Sequence, residues 1–204
     1  DPVTHNTCAV GMIIDRLASN DLPSRITKAD EEKIVNGQSL IQKENREKRM
    51  NQKGRTIWIT GLHGAGKNEL AYLLEKSLFD MGATVVLLDG NSVRSGLSGE
   101  LDFSPSDRAE HFRRVAHICR ILNDQGIITI CSFISPDDNI RNQVSKIIEP
   151  EKFNLIYLES DIETCKQNDP YGLYEKAEKG EIKYMPGIDL EYQIPMNPTL
   201  KLLS

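Results

Sequence analysis

Cysteine is scarce and scattered. The four residues Cys8, Cys119, Cys131 and Cys165 form no CxxC pair, which excludes a zinc ribbon or a thioredoxin-type motif. Cys119 and Cys131 stand inside apolar runs and read as buried free thiols, as suits a reducing cytoplasm. Long hydrophobic runs are missing too. No segment approaches the ~18 apolar residues of a membrane span, and no signal-peptide pattern is present. An excess of positive charge is also lacking. The formal net charge is −5, which argues against a general nucleic-acid binder but leaves room for a local basic pocket. Histidine offers no metal site, because His111 and His117 are six apart rather than at the i, i+4 spacing of helical ligands. Neither an internal repeat nor a low-complexity tract occurs.

What is present fits a water-soluble globular chain: 204 residues, 39% hydrophobic and 27% charged, enough for one sizeable core with appendages. The start at Asp1, without Met, reads as a piece of a longer protein. Three zones follow. Residues 1–16 are a short strand-like remnant with an apolar run from Ala9 to Ile14. Residues 17–53 are a polar helical linker, in which Thr27 caps a helix with Asp30 and Glu31 in its first turn. From Gly54 short β-branched runs alternate with amphipathic stretches: strands at Thr56–Thr60, Thr84–Leu88, Ile127–Ile134 and Asn154–Leu158, and helices at Glu69–Met81, Asp107–Asp124 and Asn139–Ile148. That alternation predicts an α/β fold of P-loop NTPase type, a parallel sheet with helices on both faces, whose ligands bind at the carboxyl ends of the strands. The Lys-, Glu- and Gly-rich segment from about 169 to 189 reads as a lid or as a disordered tail.

The chemistry-bearing motif is Gly61-Leu62-His63-Gly64-Ala65-Gly66-Lys67, set between a buried strand and an amphipathic helix. Its glycines permit a sharp turn with inward-facing N–H groups, and Lys67 places a cation on the phosphates. The residue after the lysine is ordinarily Ser or Thr, whose hydroxyl ligates Mg²⁺. Here it is Asn68, which offers a carbonyl oxygen, followed by Glu69, which is expected to point to solvent. Asp89 ends the second strand and is either a metal ligand and proton acceptor or a helix cap. Arg94, Arg108, Arg113 and Arg114 are candidate anion clamps. Arg108 reads alternatively as a surface ion pair, and Arg113 and Arg114 cannot share one helical face. Ser135 reads as an anion donor, a transferable hydroxyl or a turn serine before Pro136. His63 reads mainly as a backbone contributor to the loop.

Taken in order, GLHGAGK, DGNSVRSGL, FSPSDRAEHFRRVA, SFISP and GLYEKAEKGEIKYMPGID resemble the adenylylsulfate kinase family over roughly residues 27–204. Members phosphorylate the 3′-hydroxyl of adenosine 5′-phosphosulfate with MgATP. The resemblance implies that Gly61, Gly64, Ala65, Gly66, Lys67, Asn68 and Glu69 bind ATP, and that Asn68 and Asp89 share the metal. It implies that Lys67, Asp89 and Ser135 carry catalysis, Ser135 standing where bacterial members are described with a phosphoserine. The acceptor would meet Asn91, Arg94, Phe103 (stacked on its adenine), Arg108, His111, Ile134, Ser135, Lys176, Lys183 and Met185. Residues 1–16 resemble the end of the elongation-factor-like barrel of a sulfate adenylyltransferase subunit, so the chain resembles the C-terminal piece of a fusion, with a homo-oligomer as a further option. The family's last helix would lie beyond Ser204.

The chain departs from the family pattern at Asn68, at Asn91 (usually Asp), at His111 (usually Asn), at Asn168 (usually Arg), at Tyr171 (usually Lys) and at Met185 (usually aromatic). Asp137 and Asp138 add negative charge after SFISP. Two readings follow: an active adenylylsulfate kinase, or a degenerate nucleotide-binding module that regulates or scaffolds a fused adenylyltransferase.

Overall fold

The structure, a computed structural model, describes residues 27–204. The strand-like remnant 1–16 and the start of the linker lie outside the described residues. The chain divides at Ile41 into two units. In the first, α1 (Lys28–Val35) opens on a full capping box between Thr27 and Asp30, as its sequence predicts, and buries no residue. The second unit, Gln42–Ser204, holds the remaining described elements. Its first helix, α2 (Lys43–Met50), also buries no residue. The turn after it is tied down by Gln52, whose side chain donates to the Thr84 and Gly126 carbonyls and accepts from the Thr84 N–H. Residues 42–53 of the polar linker therefore belong to the second unit.

Five parallel strands form one sheet in the order β2-β3-β1-β4-β5: β1 (Thr56–Thr60), β2 (Val85–Asp89), β3 (Ile128–Ser132), β4 (Phe153–Glu159) and β5 (Leu200–Leu203). Alternate residues of β1 and β3 serve opposite faces. Trp58 and Cys131 face a cluster with Phe112, Val115 and Cys119 of α5 (Pro105–Asp124) and Val144 and Ile148 of α6 (Asp138–Ile148). Ile59 and Ile130 face Ala71 and its neighbours on α3 (Lys67–Asp80). Full burial of an isoleucine such as Ile59 or Ile130 contributes roughly 1.5–3 kcal/mol. A third cluster joins Ala65 and Leu158 to Cys165 of α7 (Ile162–Gln167) and to Tyr174 and Ala177 of α8 (Leu173–Glu178).

The predicted strands and long helices fall within two residues of those observed. Helix α5 starts two residues before the predicted Asp107 for a clear reason: Ser104 caps the Asp107 N–H and Pro105 takes the first helical position, where no N–H is needed. Four elements are not anticipated. The helix α4 (Gly90–Arg94), α7 and α8 span only five or six residues, too few for a period to register. The edge strand β5 lies beyond residue 189, where the sequence predicts no element.

Candidate nucleotide and anion site

Sheet order puts β1 in the middle, so the loop after it opens at the centre of the carboxyl edge. That loop has little freedom. A Cβ on Gly61 would lie 2.5 Å from the Leu158 carbonyl oxygen, and one on Gly64 would lie 2.3 Å from that of Cys165. Gly64 and Gly66 also have φ of 78° and 80°, a region side chains disfavour. Ala65 is fully buried. Lys67 begins α3, is buried, and donates from Nζ to the Leu62 carbonyl across the loop at 2.6 Å. Burial pulls its pKa down to about 8, against the opposing influence of Cys165 and Glu69. The ammonium is thus a desolvated charge that a phosphate would satisfy. Glu69 is exposed in the first turn of α3, where a carboxylate favours the helix dipole.

Asn68 and Asp89 meet the same strand end. The Asn68 side-chain oxygen accepts from the Ser132 hydroxyl at 2.6 Å, and Ser132 is the register partner of Asp89. One oxygen of Asp89 accepts the Asn91 and Ser92 N–H groups and caps α4. The helix-cap reading of Asp89 therefore holds for one oxygen. Asn91 is exposed and enters this arrangement through its backbone. Among the described residues no group of three or more His, Cys, Asp or Glu could hold a metal ion.

A second cluster lies around Phe103, whose ring is about half exposed. The Arg94 guanidinium sits 4.2 Å from the ring centroid and that of Arg108 5.4 Å. Both donate to carbonyl oxygens, Arg94 to Leu101 and Asp102, Arg108 to Phe103 and Tyr184. The surface-ion-pair reading of Arg108 is thereby replaced: its positive charge is buried, pushed down to about 10 by that burial and by Arg94, and available to an anion. Arg113 and Arg114 serve otherwise. Both bind Glu110, and Arg114 adds Glu100 and the Leu97 carbonyl.

His111 is buried against the Phe112 and Phe133 rings, and its Nδ1 has no hydrogen-bond partner. Burial first, then Arg94, Arg108 and Arg114, push its pKa down to about 4. Ser135 has φ 37° and is fully buried. Its hydroxyl accepts from Trp58 Nε1 and donates to Thr60 Oγ1, both at 3.0 Å, while its carbonyl accepts from Arg141. The Ile134 carbonyl accepts from Thr60 at 2.6 Å. The two acids after SFISP are spent locally: Asp137 caps α6 and Asp138 pairs with buried Arg141.

The segment around α8 forms a short helix that buries Tyr174 and Ala177. Met185 is buried in the cluster with Ala65 and Tyr174, and its neighbour Tyr184 is the residue joined to Arg108. Lys176 is exposed and donates to the Tyr171 carbonyl; Lys183 is exposed. His63 does more than supply backbone, since its Nε2 lies 3.1 Å from Asp169. Sequence reasoning passed over Ser132, Arg141, Thr60 and Asp169. Thr60 and Ser132 end strands, Arg141 lies in α6 and Asp169 follows α7, and nothing local marks any of them.

Comparison with known proteins agrees with this layout. The family model for adenylylsulphate kinase matches residues 53–203. The chain is 43% identical over 167 residues to the adenylyl-sulfate kinase of Clostridium acetobutylicum, covering 82% of this chain and 83% of that one. It is 37% identical over 204 residues to the bifunctional enzyme CysN/CysC of Rhodopirellula baltica, of which it spans 31% of the length. Among solved structures, the Mycobacterium tuberculosis APS kinase CysC in complex with AMPPNP and APS superposes with a TM-score of 0.72 at 39% identity, covering 74% of this chain and 89% of that chain. The chain therefore belongs to the adenylylsulfate kinase family, ATP-dependent kinases built on a P-loop.

Proposed function

We propose that this domain transfers the γ-phosphate of ATP to the 3′-hydroxyl of adenosine 5′-phosphosulfate. The observation that carries the reading is the pairing of a buried, partner-hungry Lys67 in a sterically fixed loop with an arginine-flanked aromatic, Phe103, whose two guanidiniums are satisfied by carbonyls alone. The first suits a polyphosphate; the second suits a planar base with an anionic group beside it.

Lys67 and the loop N–H groups hold the transferring phosphate, and the arginines orient the acceptor. Positioning and electrostatics supply most of the rate. Asp89 has one oxygen not engaged in capping α4, which supports a role in taking the acceptor proton. The Ser135 hydroxyl, buried between Trp58 and Thr60, supports a positioning role and favours direct transfer over a phosphoserine. The oxygens of Asn68, Asp89 and Ser132 are hard donors gathered at one strand end, a set that fits Mg²⁺ with waters completing its shell. Bound there, the ion would neutralise phosphate charge. Met185 in the apolar cluster and His111 against Phe112 and Phe133 support the acceptor wall from behind, and Lys176 and Lys183 face outward from the lid, residues 169–189.

The likeness to the fused Rhodopirellula enzyme supports a place for this domain behind a sulfate adenylyltransferase, with residues 1–16 as the end of its barrel and 17–53 as the linker. A solved hexameric APS kinase from Thiobacillus denitrificans, 25% identical, supports self-association. Among the described residues no helix is long and apolar enough to cross a membrane, and Cys119, Cys131 and Cys165 are free thiols, which suits a cytoplasmic place. The test is direct. Purified protein with MgATP and adenylylsulfate forms ADP and the 3′-phosphorylated product; turnover no higher than that of a Lys67→Ala variant, with nucleotide binding intact, would refute the kinase reading.

A further inference from the structure

One residue of the P-loop is joined to the lid by a closed circuit. His63 Nε2 lies 3.1 Å from Asp169 Oδ1. Asp169 Oδ2 accepts the Tyr174 N–H at 2.8 Å, and the Tyr174 hydroxyl returns to the His63 carbonyl, also at 2.8 Å. The path begins and ends on His63. The Asp169 side chain is 2% exposed. Although burial pushes its carboxyl up, the Tyr174 N–H and the His63 ring bring it below the usual carboxylate range, so it meets the imidazole as an anion. Next to it Gly64 packs against the Cys165 carbonyl so closely that a Cβ has no room. A histidine in a phosphate loop has no phosphate chemistry of its own here; its side chain is turned to the lid.

Resting on the kinase reading above, we propose that His63 is a positioning residue, a latch that holds the base of the lid on the P-loop through Asp169 and thereby sets the affinity for ATP. A lid held at its base spends less of the nucleotide's binding energy on closure. Breaking the latch weakens binding while leaving the transfer step intact, because the His63 and Asp169 side chains are spent on each other and on Tyr174. Lid opening that precedes product release is not slowed.

The experiment uses the whole chain and four variants: His63→Ala, His63→Gln, Asp169→Asn and the double His63→Ala/Asp169→Asn. Amide hydrogen exchange without nucleotide is expected to rise about tenfold across residues 169–178 in His63→Ala. The KM for ATP, and the ADP dissociation constant by calorimetry, are expected to rise about tenfold with kcat changed less than about twofold. His63→Gln, whose amide can donate to the same carboxylate, recovers most of both. The double variant is no worse than the more impaired single one. Unchanged exchange at 169–178 in His63→Ala, or additive losses in the double variant, would overturn the latch. A fall in kcat at unchanged KM overturns it as well, since that marks a role in the chemistry. Exchange and ADP affinity are read without turnover, so a chain without kinase activity still decides the latch.

Discussion

The phosphate end and the acceptor end of this site are built in opposite ways. The phosphate end is one unbroken stretch, Gly61 to Lys67, bent by glycines and pinned by carbonyls of Leu158 and Cys165. Its geometry is steric, and there is one way to make it. The acceptor end is gathered from α4, the loop before α5, α5 itself and the segment after α8; Arg94 ties α4 to the loop, and Arg108 ties α5 to the loop and to Tyr184. Its geometry is held by long side chains, and it carries a cost: His111, whose charged form Arg94 and Arg108 disfavour, is buried with an unpaired Nδ1. A contiguous steric site tolerates almost no substitution. A distributed one tolerates many.

The two ends are therefore expected to break differently. The largest effect belongs to Lys67→Ala, which removes the one buried cation of the loop; kcat/KM falls by about 10³-fold, measured by steady-state kinetics. Gly64→Ala comes next. Its Cβ would meet the Cys165 carbonyl at 2.3 Å at φ 78°, so the loop must shift; calorimetry should show nucleotide affinity down by about a hundredfold, with a stability loss of about 1–3 kcal/mol by denaturant melts.

On the acceptor side the effects are smaller and of another kind. The folded-state pKa of His111 lies near 4, below the ~6.5 of an unfolded histidine. Between those values the unfolded chain binds a proton that the folded chain refuses. Stability is thus full above about pH 6.5 and lost as pH falls toward 4, by about 2 kcal/mol at pH 5. A His111→Phe variant should lack that part of the acid dependence in urea melts at pH 5 and 7. The smallest effect is expected of Arg108→Lys. It keeps the charge but loses the fork that joins Phe103 to Tyr184; the KM for adenylylsulfate should rise about tenfold while that for ATP holds. Equal changes in both KM values would erase the distinction between the ends.

The same contrast explains what could be read in advance. Strands such as Thr56–Thr60 and helices such as α5 announce themselves because burial imposes a period on consecutive residues. The P-loop announces itself because backbone angles demand glycine at fixed spacing. The short helices α4, α7 and α8 do not, since a helix of five or six residues shows less than two full turns. His63 looked like loop backbone until Asp169, more than a hundred residues away, was placed beside it. Asp137 and Asp138 looked like unwanted charge at an anion site until α6 claimed one as a cap and Arg141 the other.

The sequence by itself determined the alternation of buried strands and amphipathic helices, the phosphate loop and the family, because each is written in neighbouring residues whose spacing follows from backbone geometry. Tertiary structure alone decided which polar side chains are spent on the protein and which remain for a ligand. Ser135 is locked between Trp58 and Thr60, Ser132 is turned onto Asn68, and His63 is turned to the lid. A hydroxyl or an imidazole has the same character in any sequence; its partner is set by which strand ends and turns the fold brings within about 3 Å.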